Sequence, residues 1–188
     1  MNHPVLPDHL RPRDGRFGSG PSKVRTEALG ALAASGTSYM GTSHRRDGVR
    51  SVVARIRSGM SELFSLPDGY EVVLGNGGAT AFWDAATFRL IERRSLHYVF
   101  GEFSSKFAGV AAAAPFLDEP VVVDAPLGSR PDPATADVDA YALIHNETST
   151  GVAMDVIRPP ADGLVLVDGT SAAGVLAVDP AEFDAYYF

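Results

Sequence analysis

The sequence predicts an α/β fold, a mostly parallel, doubly wound sheet with helices on both faces. Three observations carry that expectation. From Tyr70 onward, short apolar runs alternate with segments of helical length. Four of the runs, PVVVD (120–124), YALIH (141–145), LVLVD (164–168) and AYYF (185–188), are nearly continuous in apolar residues, as strands covered on both faces should be. The segments that follow the runs read GNGGAT, GEFSSK, HNETSTG and DGTSAAG. Small polar residues thus gather beyond the carboxyl ends of the strands, where ligands bind in such sheets.

Residues 1–16 carry three prolines without periodicity and read as a flexible N-terminal arm. Ser22 is a candidate N-cap for a first helix. GSGPSK (18–23) resembles a nucleotide loop only superficially, since no strand precedes it and Pro21 removes an N–H donor. Asp47 opens a stronger helix, with Val49, Val52, Val53, Ile56, Met60, Leu63 and Phe64 at i, i+3, i+4 spacing, ending near Leu66 before Pro67. EVVLG (71–75) is an expected strand, followed by a helix from about Gly78 to Arg93. LHYVF (96–100) is the next strand, and a helix crosses SSKFAGVAAAA. Loops rich in Pro and Asp, 125–137 and 155–163, separate the later runs.

Composition excludes several function classes. The 188 residues are 45% hydrophobic and 21% charged, enough for one sizeable core. A formal charge of −7, with only Lys23 and Lys106 as lysines, argues against nucleic-acid binding, which needs clustered cations. No apolar stretch has the length of a membrane span, and the N-terminus has no signal-type apolar region. The absence of cysteine removes disulfides and thiolate chemistry and fits a reducing compartment, so a cytoplasmic location is expected. The five histidines lack metal-ligand spacing, so no metal site is expected.

Four motifs carry candidate chemistry. GNGGATAFW (75–83) combines strand, glycine loop and helix start, which suits an anion cradled by backbone N–H groups; a tight βα turn that simply needs glycine is the plainer alternative. A dinucleotide loop, with Glu102 as the ribose acid, is a rival, although Thr80 stands where a third small residue belongs. HNETSTG (145–151) offers polar side chains at a strand end, for a turn or for a ligand's polar edge. GTSHRRDG (41–48) sets His44, Arg45 and Arg46 in a small-residue loop before a helix, either as an anion site or as a solvated basic loop. The last is Asp168. A carboxylate at the tip of a buried strand needs a cation or several donors. An arginine would serve; so would the protonated ring nitrogen of pyridoxal 5'-phosphate, whose enzymes use an Asp in this way.

Taken together and in order, RFGSGPSKV, GTSHR, NGGAT, GEFSSKF, HNETSTG, VDGTSAAG and DAYYF resemble the phosphoserine aminotransferases, a class V, fold-type I family of pyridoxal-phosphate enzymes. The resemblance runs from about Arg16 to Phe188. It implies that residues 17–188 form the cofactor-binding large domain in part, without the C-terminal small domain. It implies that Ala79 and Thr80 hold the cofactor phosphate, Phe103 stacks on the pyridine, Thr148 bonds the ring hydroxyl, Asp168 holds the ring nitrogen and Ser171 lies beside it. His44 and Arg45 match a pair used on the anionic substrate across a dimer interface. The implied reaction transfers the amino group of L-glutamate to 3-phosphohydroxypyruvate in serine biosynthesis, by a homodimer.

Three departures accompany the resemblance. Many members have Gly-Arg where this chain has Ala79-Thr80, and tryptophan in place of Phe103. The chemistry also needs a lysine as anchor and proton carrier, and neither Lys23 nor Lys106 occupies the family's position, a few residues past the equivalent of Phe188. The chain is therefore expected to be the N-terminal half of such an enzyme, inactive alone. Other expectations stay open at this point: a different class V enzyme, such as an alanine-glyoxylate aminotransferase or a cysteine desulfurase, or a non-catalytic nucleotide-binding remnant.

Overall fold

The computed structural model describes residues 5–12, 14–15 and 23–188. Ser22 and most of GSGPSK lie outside the described residues, so the expected N-cap is not among them. The helices are α1 (Thr26–Ser35), α2 (Asp47–Leu63), α3 (Ala79–Arg89) and α4 (Glu102–Ala112). The strands are β1 (Ser95–Val99), β2 (Val121–Asp124), β3 (Ala140–Ile144), β4 (Asn146–Glu147), β5 (Val152–Ala153), β6 (Leu164–Asp168) and β7 (Ala185–Tyr187).

Five strands form one sheet in the order β2-β1-β3-β6-β7, and every pairing in it is parallel. The sequence explains the centre. β3 and β6 are apolar at nearly every position and are buried on both faces, so each side chain has a partner layer whichever way it points. Leu96, Tyr98, Tyr141, Leu143, Val165 and Val167 form the core of one face. Ala140, Ala142 and Leu166 form the other, where Trp83 and Ala86 of α3 and Phe107 and Ala111 of α4 cover them. Alanines on the strands let those two helices sit close. Truncating Leu166 to alanine would cost about 2–5 kcal/mol, because close-packed surroundings collapse only in part.

Both helices packed on the sheet share this one face. On the other face, segments around Ala134, Val156, Val178 and Phe183 pack against the core. α2 reaches that side only at its end, where Phe64 meets Tyr186 and Phe188 with ring centroids 5.7 and 5.9 Å apart. Its apolar stripe otherwise contributes no fully buried residue.

Two strand expectations change. EVVLG forms no strand: no ladder reaches residues 71–75, and Val73 and Leu74 are 79% and 52% exposed. Apolar content makes a strand only where a sheet edge is available to pair with its N–H and C=O groups, and no described strand lies beside this run. PVVVD does pair, but as an edge strand whose side chains alternate between half-buried and exposed. β4 and β5 form a small antiparallel ribbon after β3, which the continuous apolar pattern did not reveal.

Candidate functional site

All five sheet strands point the same way, so the segments after β1, β3 and β6 and the start of α3 come together at one end of the sheet. Asp168 is the last residue of β6, 4% exposed. Its Oδ1 accepts the Thr170 N–H at 2.9 Å. Among the described residues no lysine or arginine forms an ion pair with it. Burial pushes its carboxyl above the ordinary range; hydrogen bonds from Thr170 and Trp83 pull it back, and the charge of Glu147 adds to the rise. The arginine alternative for Asp168 therefore finds no support among the described residues.

The neighbours of Asp168 extend to α3. Tyr187 is its register partner on β7, and the Trp83 indole N–H donates to the Tyr187 hydroxyl at 2.9 Å. Burial and Asp168 raise the Tyr187 phenol strongly and push that of Tyr186 up to about 12. Phe82 stacks on Tyr187 at 3.9 Å. The helix that begins with Ala79 and Thr80 is in this way bound to the strand that ends in Asp168. Sequence reasoning missed Trp83 and Tyr187; their partnership spans 104 positions and left no local signal.

At the start of α3, Gly78 is the N-cap and Ala79 and Thr80 are the first two helical residues, half-buried and exposed. Their N–H groups precede the first intrahelical bonds and so face outward, the arrangement that binds anions. Gly77 is fixed by sterics: its φ is +107°, and a Cβ there would lie 2.9 Å from the Ala81 Cβ.

Phe103 is the second residue of α4 and 39% exposed. The Lys106 ammonium lies 5.7 Å from its ring centroid and 3.0 Å from Glu102. That ion pair places Glu102 on the α4 surface. Thr148 and Ser171 meet directly, the Thr148 hydroxyl donating to Ser171 Oγ at 2.7 Å. Asn146 Nδ2 donates to the same oxygen at 2.8 Å, and the Ser171 hydroxyl returns a bond to the Asn146 carbonyl at 3.0 Å. The structure therefore joins Thr148 to Ser171 by a hydrogen bond and ties α3 to Asp168 through Trp83 and Tyr187.

His44 and Arg45 stand apart from them. Both are exposed in the turn before α2, where the Arg45 N–H donates to Ser43 Oγ at 3.2 Å. No described hydrogen bond or ion pair links either side chain to Phe103, Thr148, Asp168 or Ser171. Among the described residues His44 and Arg45 are thus separate from the group around Asp168.

Asp168, the Thr148–Ser171 hydroxyl pair and the start of α3 stand at one end of a parallel sheet, and solved structures share this fold. The chain superposes on a phosphoserine aminotransferase from Cytophaga hutchinsonii with a TM-score of 0.76 and 28% identity, over 86% of this chain and 47% of that one. A PLP-bound phosphoserine aminotransferase from Trichomonas vaginalis shares the fold at a TM-score of 0.64 and 18% identity, over 81% and 47% of the two chains. No family model matches the sequence. A curated phosphoserine aminotransferase from a Nocardioides strain is 61% identical over 188 residues, covering 97% of this chain and 50% of the relative. Along nearly its whole length the chain is similar to curated phosphoserine aminotransferases, and it spans about half the length of the relatives it matches.

Proposed function

We infer that this chain is the cofactor-holding half of a phosphoserine transaminase, and that the cofactor is pyridoxal 5'-phosphate. The observation that carries the inference is Asp168, a carboxylate held out of water with no described cation beside it. A group of that kind is costly unless its partner arrives with the ligand. The donor set fits: an anionic acceptor for a protonated ring nitrogen, hydroxyls of Thr148 and Ser171 for the ring's polar edge, and free N–H groups at Ala79 and Thr80 for the phosphate. Gly77 sets the turn into that helix, since a Cβ there would press on Ala81.

When bound, the cofactor supplies an electron sink for negative charge at the substrate α-carbon. The residues of this chain set the conditions for that chemistry. Asp168 keeps a proton on the ring nitrogen. Phe103 covers one ring face and excludes water from it. Thr148 donates to or accepts from the ring hydroxyl, steadied by Ser171. Ala79 and Thr80 fix the cofactor phosphate. In this reading neither lysine of the chain is the anchor; both stand in exposed ion pairs. Lys106 is paired with Glu102 and Lys23 lies 3.4 Å from Asp14.

The reaction proposed for the whole protein is amino transfer from L-glutamate to 3-phosphohydroxypyruvate, giving O-phospho-L-serine and 2-oxoglutarate for serine biosynthesis. His44 and Arg45 receive the anionic substrate in a homodimer, which also accounts for their distance from the cofactor group of their own chain. The same reading places the enzyme in the cytoplasm; no described helix is long and apolar enough to cross a membrane. Titrating the chain with pyridoxal phosphate and with NAD tests the cofactor assignment, with fluorescence of Trp83, the chain's one tryptophan, as the reporter. Quenching by pyridoxal phosphate alone is expected. Saturable binding of NAD in its place, or a stoichiometric borohydride-trapped adduct on Lys23 or Lys106 with transaminase turnover, overturns the reading.

A further inference from the structure

The most completely buried carboxylate of the described chain is not Asp168 but Glu147, which is 0% exposed. It lies at the end of β4, between Asn146 and Thr148. It has no described ion-pair partner, and its oxygens are instead saturated by donors. Oε2 accepts the Ser104 N–H at 2.9 Å and the Ser104 hydroxyl at 2.8 Å. Oε1 accepts the Ser149 hydroxyl at 2.8 Å, the Ser149 N–H at 3.2 Å and, more weakly, the Phe103 N–H at 3.4 Å. A second link runs beside these, the Glu102 N–H donating to Ser149 Oγ at 2.9 Å.

These donors belong to the first turn of α4 and to the loop after β4. The helix start thus finds its cap in a side chain 43 positions away. Anions are favoured at that end of a helix, where N–H groups lack intrahelical partners. Burial by itself would raise the Glu147 carboxyl, but the Ser104 and Ser149 hydrogen bonds outweigh it and hold it below the ordinary range. The approach is close enough to dictate the neighbouring residue. A Cβ on Gly101 would fall among Glu147 Cγ, Glu147 Cδ and Ser149 Oγ, all nearer than any side chain tolerates.

Phe103 and Thr148 flank this junction. Phe103 follows Glu102 on α4, and Thr148 sits between the two residues, Glu147 and Ser149, that grip α4. The geometry points to Glu147 as a positioning residue: its buried carboxylate clamps the β4 end to the α4 N-terminus and so sets the spacing between the Phe103 ring and the Thr148 hydroxyl on which the cofactor ring is received. This rests on the proposed function for what occupies the site, but the clamp itself is a property of the chain.

Glutamine at 147 is close to isosteric yet places an NH₂ where the backbone N–H groups of Ser104 or Ser149 already point, so one side of the clamp opens. Glu147→Gln and Ser149→Ala would be compared with the wild-type chain by amide hydrogen exchange, by pyridoxal phosphate titration on Trp83 fluorescence and by the induced circular dichroism of the bound cofactor. Faster exchange at Phe103 and Ser104 is expected, with loss of the induced dichroism and binding weaker by roughly tenfold, the scale of one oriented contact, while the cooperative thermal transition is kept. If Glu147→Gln fails to fold, Ser149→Ala decides alone, since it leaves the carboxylate in place. Unchanged exchange and an unchanged dichroic signal in a folded variant overturn the proposal. A wild-type chain that binds no pyridoxal phosphate refutes the proposed function instead, and the exchange result then decides the clamp by itself.

Discussion

Replacing Asp168 with asparagine should move stability and binding in opposite directions. The carboxylate is buried without a described cation, and burial raises its carboxyl from the ordinary 3.8. Between that value and the raised one the folded state holds the proton more tightly than the unfolded state, so the folded state is favoured as pH falls through that window. Ionisation at neutral pH therefore costs folding free energy. Asparagine removes the charge, keeps the volume and still offers Oδ1 to the Thr170 N–H, now 2.9 Å away. At pH 7 the variant should unfold at or above the wild-type midpoint, by about 2–4 °C for each kcal/mol relieved in a chain of this size. Its affinity for pyridoxal phosphate should fall, because a charge-assisted bond to a ring nitrogen is worth about 1.5–3 kcal/mol, or roughly 10- to 150-fold in Kd. Thermal unfolding and Trp83 fluorescence titration on the same samples read both quantities. If Asp168 were one partner of a buried ion pair, the substitution would destabilise by about 3–5 kcal/mol. That result, or a Kd within about twofold of wild type, below the tenfold that a lost charge-assisted bond implies, refutes the reasoning.

Other expectations follow from the same coordinates. His97 is buried beside Ser95 and Phe107, and burial lowers its pKa from 6.5 to about 4; its stabilising contribution is complete above pH 6.5 and lost on acidification toward pH 4, so about 2 kcal/mol should be gone at pH 5. Urea unfolding at pH 7 and pH 5 should show that loss in the wild type and a flatter profile in His97→Gln. Gly77→Ala forces an L side chain into a φ of +107° against Ala81, and should cost about 1–2 kcal/mol of stability while weakening inorganic phosphate and cofactor binding. Trp83→Phe deletes the donor to Tyr187 and should cost about 1–3 kcal/mol in a thermal melt, the penalty of an unmet buried polar group.

The centre of the fold was legible because β3 and β6 satisfy the strongest pattern a sequence can show, apolar residues on both faces over a strand's length. LVLVD also drew attention to its strand end, since a charge ending such a run has to be accounted for. The periphery was less legible for a physical reason. EVVLG has three consecutive aliphatic residues against four in LVLVD, but strand formation also depends on an edge to pair with, and that is decided by residues elsewhere. The apolar stripe of α2 likewise records that a face exists and not what covers it. Asp168 was singled out because a carboxylate ends an apolar strand, whereas Thr148 and Ser171 were named through the resemblance, and the structure joins those two by a hydrogen bond. Glu147 was passed over inside HNETSTG. Its burial and its five donors come partly from α4, and only Gly101, placed where the two segments touch, offered a trace of that approach in the sequence.

The central claim is that Asp168 holds a protonated pyridine nitrogen. Nitrogen-15 NMR of ring-labelled pyridoxal phosphate bound to the chain measures that proton directly. The account predicts a ring nitrogen that stays protonated in the wild-type complex at pH values where the free cofactor has lost the proton, and that loses it in Asp168→Asn. A deprotonated ring nitrogen in the wild-type complex, or the same titration in both proteins, would contradict it.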